Sequence, residues 1–178
     1  MNKPHKVFVL LYCISLLYAG CKKEEEIDKL PPATASGLGT FGCLINGKAW
    51  PIYEKGFHYV QAYYENGVLS VGYYIKASEL SFFDSQWVRI STKNITKPGN
   101  YIAWFDTNND YLGSCSVEII NNTYDSHHPI NAGGFAWINI TRLDTVNGFA
   151  AGMFGFTLLD DNGLTSVKVE SGRFDISY

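Results

Sequence analysis

The chain is expected to fold as an all-β protein, an antiparallel β-sandwich or β-barrel-like domain. Three observations point there. The dipeptides Asn46-Gly47 and Asn66-Gly67 each separate two alternating apolar arms, the strongest short-range hairpin signature, because both turn positions take positive φ. Between such turns, short stretches alternate with period two, as half-buried strands do. Aromatic residues make up 15% of the chain and helix-favouring Ala/Leu/Glu/Lys stretches are almost absent, a balance that favours strands. There is no βαβ alternation to suggest a parallel sheet.

The first element in chain order lies outside the domain. Met1 to Lys6 is basic, Val7 to Tyr18 is mostly apolar, and Ala19-Gly20-Cys21 is a small-residue junction; together they make a secretory signal. A transmembrane helix needs about 20 apolar residues, so this run is too short for one. The five charges from Lys22 to Glu26 exclude a buried N-terminal helix. The expected plan is a signal over 1–20, a tether over 21–36, and one domain over 37–178. The charges of the tether and Leu30-Pro31-Pro32-Ala33-Thr34-Ala35-Ser36 read as a proline-stiffened, unpacked spacer.

Within the domain, Thr40–Ile45 and Lys48–Tyr53 flank the first Asn-Gly turn, and Phe57–Glu65 and Val68–Lys76 flank the second. Ala77 to Asp84 reads as either a helical turn or a strand. Trp87–Ile95 and Asn100–Phe105 are joined by Thr96-Lys97-Pro98-Gly99, with proline and glycine placed as a turn requires. Tyr111–Ile120 alternates Cys115, Val117 and Ile119 against Ser114, Ser116 and Glu118. Asn121 to Gly134 reads as a long polar loop. Phe135–Leu143 and Phe149–Leu159 follow around Asp144 to Gly148. Asp160-Asp161-Asn162-Gly163 is a further turn, and Thr165–Glu170 and Arg173–Tyr178 are expected to turn at Ser171-Gly172.

Loss of the signal removes Lys3 and Lys6 and takes the formal net charge from −3 to −5. With no basic stripe, nucleic acid is excluded as an expected partner. Cys13 leaves with the signal and Cys21 belongs to the tether, so Cys43 and Cys115 remain. Both alternate with apolar residues and point into the core, either as a disulfide in an oxidising compartment or as two buried thiols.

Motifs that would carry chemistry are weak. His127-His128 are adjacent, so on an extended chain they point to opposite faces, and no zinc-site spacing surrounds them. Asp106-Thr107-Asn108-Asn109-Asp110 begins like a calcium loop, but Tyr111 stands where glycine is needed and Val117 where glutamate is needed. No metal and no cofactor is expected. There is no nucleophile elbow and no cysteine–histidine protease setting, so no catalytic residue is assigned. The aromatic surplus is the informative remainder: Trp50, Tyr53, Tyr59, Tyr63, Tyr64, Tyr74, Trp87, Trp104 and Trp137 exceed what one core face needs. Trp50, Trp87, Trp104 and Trp137 are the candidate glycan contacts, with ordinary core packing as the competing explanation.

Two resemblances add to this reading. Leu17-Tyr18-Ala19-Gly20-Cys21 resembles the bacterial lipobox, with Tyr18 where leucine is usual, as in the looser lipoboxes of Bacteroidota. That resemblance implies lipid on Cys21 and a firm membrane tether. Lys22-Lys23-Glu24-Glu25-Glu26 is similar to the surface-export signal of such lipoproteins, and Asp144-Thr145-Val146 to their short O-glycosylation motif. The second resemblance rests on Phe41-Gly42-Cys43-Leu44-Ile45-Asn46-Gly47-Lys48, Ile140-Thr141-Arg142-Leu143-Asp144, Gly152-Met153-Phe154-Gly155-Phe156 and Gly172-Arg173-Phe174-Asp175. It is to an uncharacterised family of small Bacteroidota lipoproteins and implies a β-rich fold with no assigned activity. The expected function is a lipid-anchored protein of the cell outer membrane, on either its periplasmic face or its surface, that binds a glycan or an envelope protein or serves a structural role. The alternative is an envelope hydrolase or glycan-binding protein acting on carbohydrate.

Overall fold

The computed structural model describes residues 25–51, 57–76, 85–103, 112–119, 122–125, 135–159 and 165–178. Among them are eleven strands: β1 (Thr40–Ile45), β2 (Lys48–Trp50), β3 (Phe57–Glu65), β4 (Val68–Lys76), β5 (Ser85–Thr92), β6 (Gly99–Ile102), β7 (Gly113–Ile119), β8 (Asn122–Asp125), β9 (Ala136–Asp144), β10 (Phe149–Leu159) and β11 (Ser166–Ser177). They form two antiparallel sheets packed face to face as a sandwich. One sheet runs β2-β1-β11-β10-β9-β6 and the other β3-β4-β5-β7-β8.

Both Asn-Gly turns form as expected: Asn46, Gly47, Asn66 and Gly67 all have positive φ, and Glu65 opposite Val68 closes the second hairpin. The pairing of β1 with β11 brings together the two ends of the domain, which no local pattern announces. Two expectations change. Ser171-Gly172 does not reverse the chain; β11 is continuous, and it carries one extra residue there against both neighbours. Ser171 takes a φ of 52°, so turn chemistry has been used for a β-bulge inside a long strand. The polar stretch expected as one loop contains β8, which pairs with β7.

The core is aromatic in the six-stranded sheet and branched-aliphatic in the other. Phe41, Phe154 and Phe174 are fully buried, facing Val71, Val88, Ile90 and Val117. Phe41 packs at 5.1 Å from Phe154 and 5.9 Å from Tyr73, and so joins the two sheets. Cys43 and Cys115 lie in this core, one on each sheet. Both are thiols, so the disulfide considered from sequence is not formed; they act as small apolar groups. Burial pushes the Cys43 thiol far above its ordinary range, which keeps it protonated and unreactive.

The segment expected as a free spacer departs most from expectation. From Glu25 onward it is docked as a strap on the six-stranded sheet. Glu26–Lys29 form one 3-10 turn, and the Glu26 carboxylate accepts the Ala49 backbone N–H at 2.9 Å. Leu30 is buried. Pro31 lies over Gly42, where a Cβ would come within 2.6 Å of its ring, and the Pro31 carbonyl accepts from Arg173. Arg142 donates to the Ala35 carbonyl while its guanidinium sits 4.6 Å from the Phe149 ring centre. The N–H groups of Ser36 and Gly37 both donate to Asp175. Thr40, Gly42, Arg142, Ala151, Arg173 and Asp175 lie in adjacent cross-strand rows, and the strap covers their outer face. The prolines hold the strap extended along the sheet rather than away from it.

Candidate functional site

The outer face of the five-stranded sheet carries the most organised constellation. The second hairpin's register sets Tyr59 opposite Tyr74, and β5 adds Trp87 to the same cross-strand row. Residues two apart along a strand share a face, so three rows run side by side. The first is Tyr59, Tyr74, Trp87 and Glu118. The second is Gln61, Gly72, Arg89 and Ser116, and the third is Tyr63, Ser70, Ser91 and Ser114.

The aromatic row is stacked. Tyr59 and Tyr74 have ring centres 5.1 Å apart and planes 5° apart; Tyr74 and Trp87 are at 6.3 Å and 30°. Coplanar rings cannot approach to 5.1 Å, so Tyr59 and Tyr74 overlap with an offset, the favoured geometry for such a pair. Tyr59 is 42% exposed, while Tyr74 and Trp87 are half-buried. Gly72 makes room for the row: a Cβ there would lie 3.2 Å from the Tyr74 ring and 3.3 Å from the Arg89 Cβ. The Arg89 Nε is buried and has no hydrogen-bond partner among the described residues. Tyr63 donates to Glu65 at 2.5 Å, and that bond holds its phenol above the ordinary range. The face therefore sets an apolar, π-rich stripe beside planar amide and guanidinium groups; of the serines in these rows, Ser70 and Ser91 are half-buried and Ser114 and Ser116 are buried.

Of the four tryptophans expected as glycan contacts, the three that lie among the described residues do not come together. Trp87 is in the stacked row. Trp50 is not on a surface: it is 7% exposed, packs on Phe41 and Tyr73, and donates across the sandwich to Gln86 at 3.4 Å. Its strand, β2, ends there and turns that face inward. Trp137 is half-buried on the outer face of the other sheet, its indole against Gly155. Trp104, Cys21, His127-His128, the Asp106–Asp110 stretch and the Asp160–Gly163 turn lie outside the described residues. Asp144-Thr145-Val146 lies at the β9–β10 turn, where Thr145 is exposed and Val146 is 92% exposed; the Asp144 carboxylate accepts from Asn147 and Arg142.

Nothing in the local sequence marks Gln61 and Arg89 as neighbours of the aromatic row. The Tyr59–Tyr74 pair is legible there, because a two-residue turn at Asn66-Gly67 fixes that register. The addition of Trp87 is not, since the connection from β4 to β5 carries no register information.

Among the described residues, no group of three or more His, Cys, Asp or Glu side chains is placed to hold a metal ion. Asp175, a carboxylate only 1% exposed, is engaged in holding the strap. Burial alone would push its carboxyl up; the backbone N–H groups of Ser36, Gly37 and Leu38 outweigh that and hold it below the ordinary range. No family model, no curated protein and no solved structure matches the chain.

Proposed function

We propose that this chain is a non-catalytic saccharide-binding module carried on the outer membrane by lipid at Cys21, with the outer face of the five-stranded sheet as its binding surface. The stacked row Tyr59–Tyr74–Trp87 beside Gln61 and Arg89 carries this reading. Sugar rings present apolar C–H faces ringed by hydroxyls, and a stripe of aromatic carbon flanked by planar hydrogen-bonding groups complements both. On a glycan array of bacterial and host polysaccharides, the wild type is expected to bind a defined subset. Trp87→Ala is expected to lower that affinity by roughly tenfold, the size of one lost stacking contact. Absence of saccharide binding by the wild type, or retention of full affinity by both Trp87→Ala and Tyr59→Ala, would count against the assignment.

The anchor belongs to the same reading and has a geometric consequence. Only five residue steps separate Cys21 from the docked Glu26, a reach of at most about 18 Å. Lipid at Cys21 would hold the β2 edge of the sandwich close to the bilayer. Labelled palmitate is expected to enter the wild type and to be lost in Cys21→Ser; an unlabelled wild type would remove the anchor.

A further inference from the structure

We propose that β3 is a self-pairing edge through which two copies of this chain join their five-stranded sheets into one continuous sheet. The inference does not depend on the ligand of the aromatic row.

Open sheet edges are ordinarily blunted by short strands, lysine, proline or bulges. The other three edge strands follow that rule: β2 has 3 residues and is followed by Pro51, and β6 and β8 have 4 each. β3 is different. It has 9 residues, contains no proline or lysine, and pairs with β4 from Phe57 to Glu65 without a register break. No described strand pairs with its other side. Its one formal charge, Glu65, is at the end.

The backbone phase follows from the turn. Glu65 and Val68 flank the two-residue loop and exchange both hydrogen bonds, so Glu65, Tyr63, Gln61 and Tyr59 direct their backbone groups at β4. Those of Tyr64, Ala62 and Val60 point to the open edge.

An antiparallel partner that overlaps all nine residues has its two-fold axis at Gln61, and the sequence about that point is nearly palindromic: Tyr59-Val60-Gln61-Ala62-Tyr63. In this register Val60 meets Ala62 of the second copy, and both present edge-facing backbone groups, so the hydrogen-bond phases agree. Tyr59 meets Tyr63 of the second copy on the outer face, in the closely spaced non-hydrogen-bonded pairing that favours aromatic contact. Both tyrosines are largely exposed in the single chain, at 42% and 48%, and no like charges oppose one another. On the inner face, Val60, Ala62 and Tyr64 are only partly buried against the core, and the same pairing would cover them. The row Trp87–Tyr74–Tyr59 would then continue into Tyr63 of the second copy, a four-ring stripe repeated by the two-fold axis.

The register is tested by cysteine crosslinking in the full chain, expressed in bacterial cells and treated with a mild oxidant. Gln61 is exposed, and across the axis its Cα would lie about 4.5–5.5 Å from its copy, within disulfide reach. Gln61→Cys is expected to run as a covalent dimer on a non-reducing gel. Tyr59→Cys, which faces Tyr63 and not itself, is expected to stay monomeric, as is the wild type with its native cysteines. Ala62→Pro removes an edge-facing N–H without touching the β4 ladder, so it is expected to abolish the Gln61→Cys crosslink and leave the fold intact by circular dichroism. A Gln61→Cys chain that remains monomeric, a Tyr59→Cys chain that crosslinks equally well, or a crosslink that survives Ala62→Pro would overturn the proposal.

Discussion

Gly152→Ala is expected to destabilise the domain by about 3 kcal/mol or more, and to lower its melting temperature by roughly 10 °C. Gly152 faces inward on β10 at a register shift, where Ala151 opposes Arg142 but Gly152 opposes Ile140. The extra residue in β9 pushes its backbone towards β10, and a Cβ at Gly152 would lie 2.2 Å from the Asn139 carbonyl oxygen and 2.8 Å from the Phe174 ring. A flexible side-chain tip could move aside; a backbone carbonyl in the middle of a six-stranded sheet cannot do so without opening the ladder. The same strand supplies the control. Met153 is 41% exposed, and Met153→Ala is expected to change stability by no more than about 0.5 kcal/mol. Thermal melts of the two variants against the wild type decide the matter, and equal melting temperatures would remove the claim of close backbone approach.

Asp175→Ala is expected to release the strap, at a cost of about 3 kcal/mol. A hydrogen bond to a charged group contributes roughly 1.5–3 kcal/mol, and a buried donor left without its acceptor costs a similar amount. Here one carboxylate accepts from both Ser36 and Gly37. Limited proteolysis reads the outcome directly: trypsin should cut at Lys29 in the variant while the sheets stay intact, and resistance equal to wild type would show that the carboxylate does not hold the strap. The contact also carries a pH dependence of definite sign. The folded Asp175 carboxyl lies below its ordinary value, so its stabilisation is fully present above the unfolded value of about 4. That contribution is lost as the pH falls through the lower folded value. Acid should therefore loosen the strap of the wild type below about pH 4, and Asp175→Ala should lack that transition.

The parts of this protein legible in its sequence are those set by local chemistry. Asn46-Gly47 and Asn66-Gly67 demand positive φ, which selects a two-residue hairpin and with it the register of each arm. From that register alone Tyr59 stands beside Tyr74. The alternation of Leu69, Val71, Tyr73 and Ile75 against Val68, Ser70, Gly72 and Tyr74 marks one face as the drier; Leu69, Val71 and Tyr73 are buried there and Ile75 is half-buried, while Gly72 on the other face is buried as well. The basic start, the apolar run and Cys21 likewise carry their expectation in a few adjacent residues.

Misreadings occur where one local signal is compatible with two tertiary uses. Ser171-Gly172 satisfies a turn and a bulge equally; which one forms depends on β1 and β10 pairing with both sides of β11. A proline-rich, charged strap looks like a spacer because its own side chains form no core. It docks because Asp175, Arg142 and Arg173, more than a hundred residues away, present acceptors to the N–H groups of Ser36 and Gly37 and donors to the carbonyls of Ala35 and Pro31. Trp50 and Trp87 are equivalent as residue types, yet one fills the space between the sheets and the other lies on the outside, because Trp50 shares its cross-strand row with the buried Cys43 and Trp87 shares its row with Tyr74 on the outer face. The local sequence thus set the all-β class, the hairpins and the inward face of most strands, through φ preferences and period-two burial. Only the packing of the two sheets determined the aromatic row, the docked strap and, among the described residues, the long unblunted edge at β3, since each depends on strands that are distant in the chain and share no local signal.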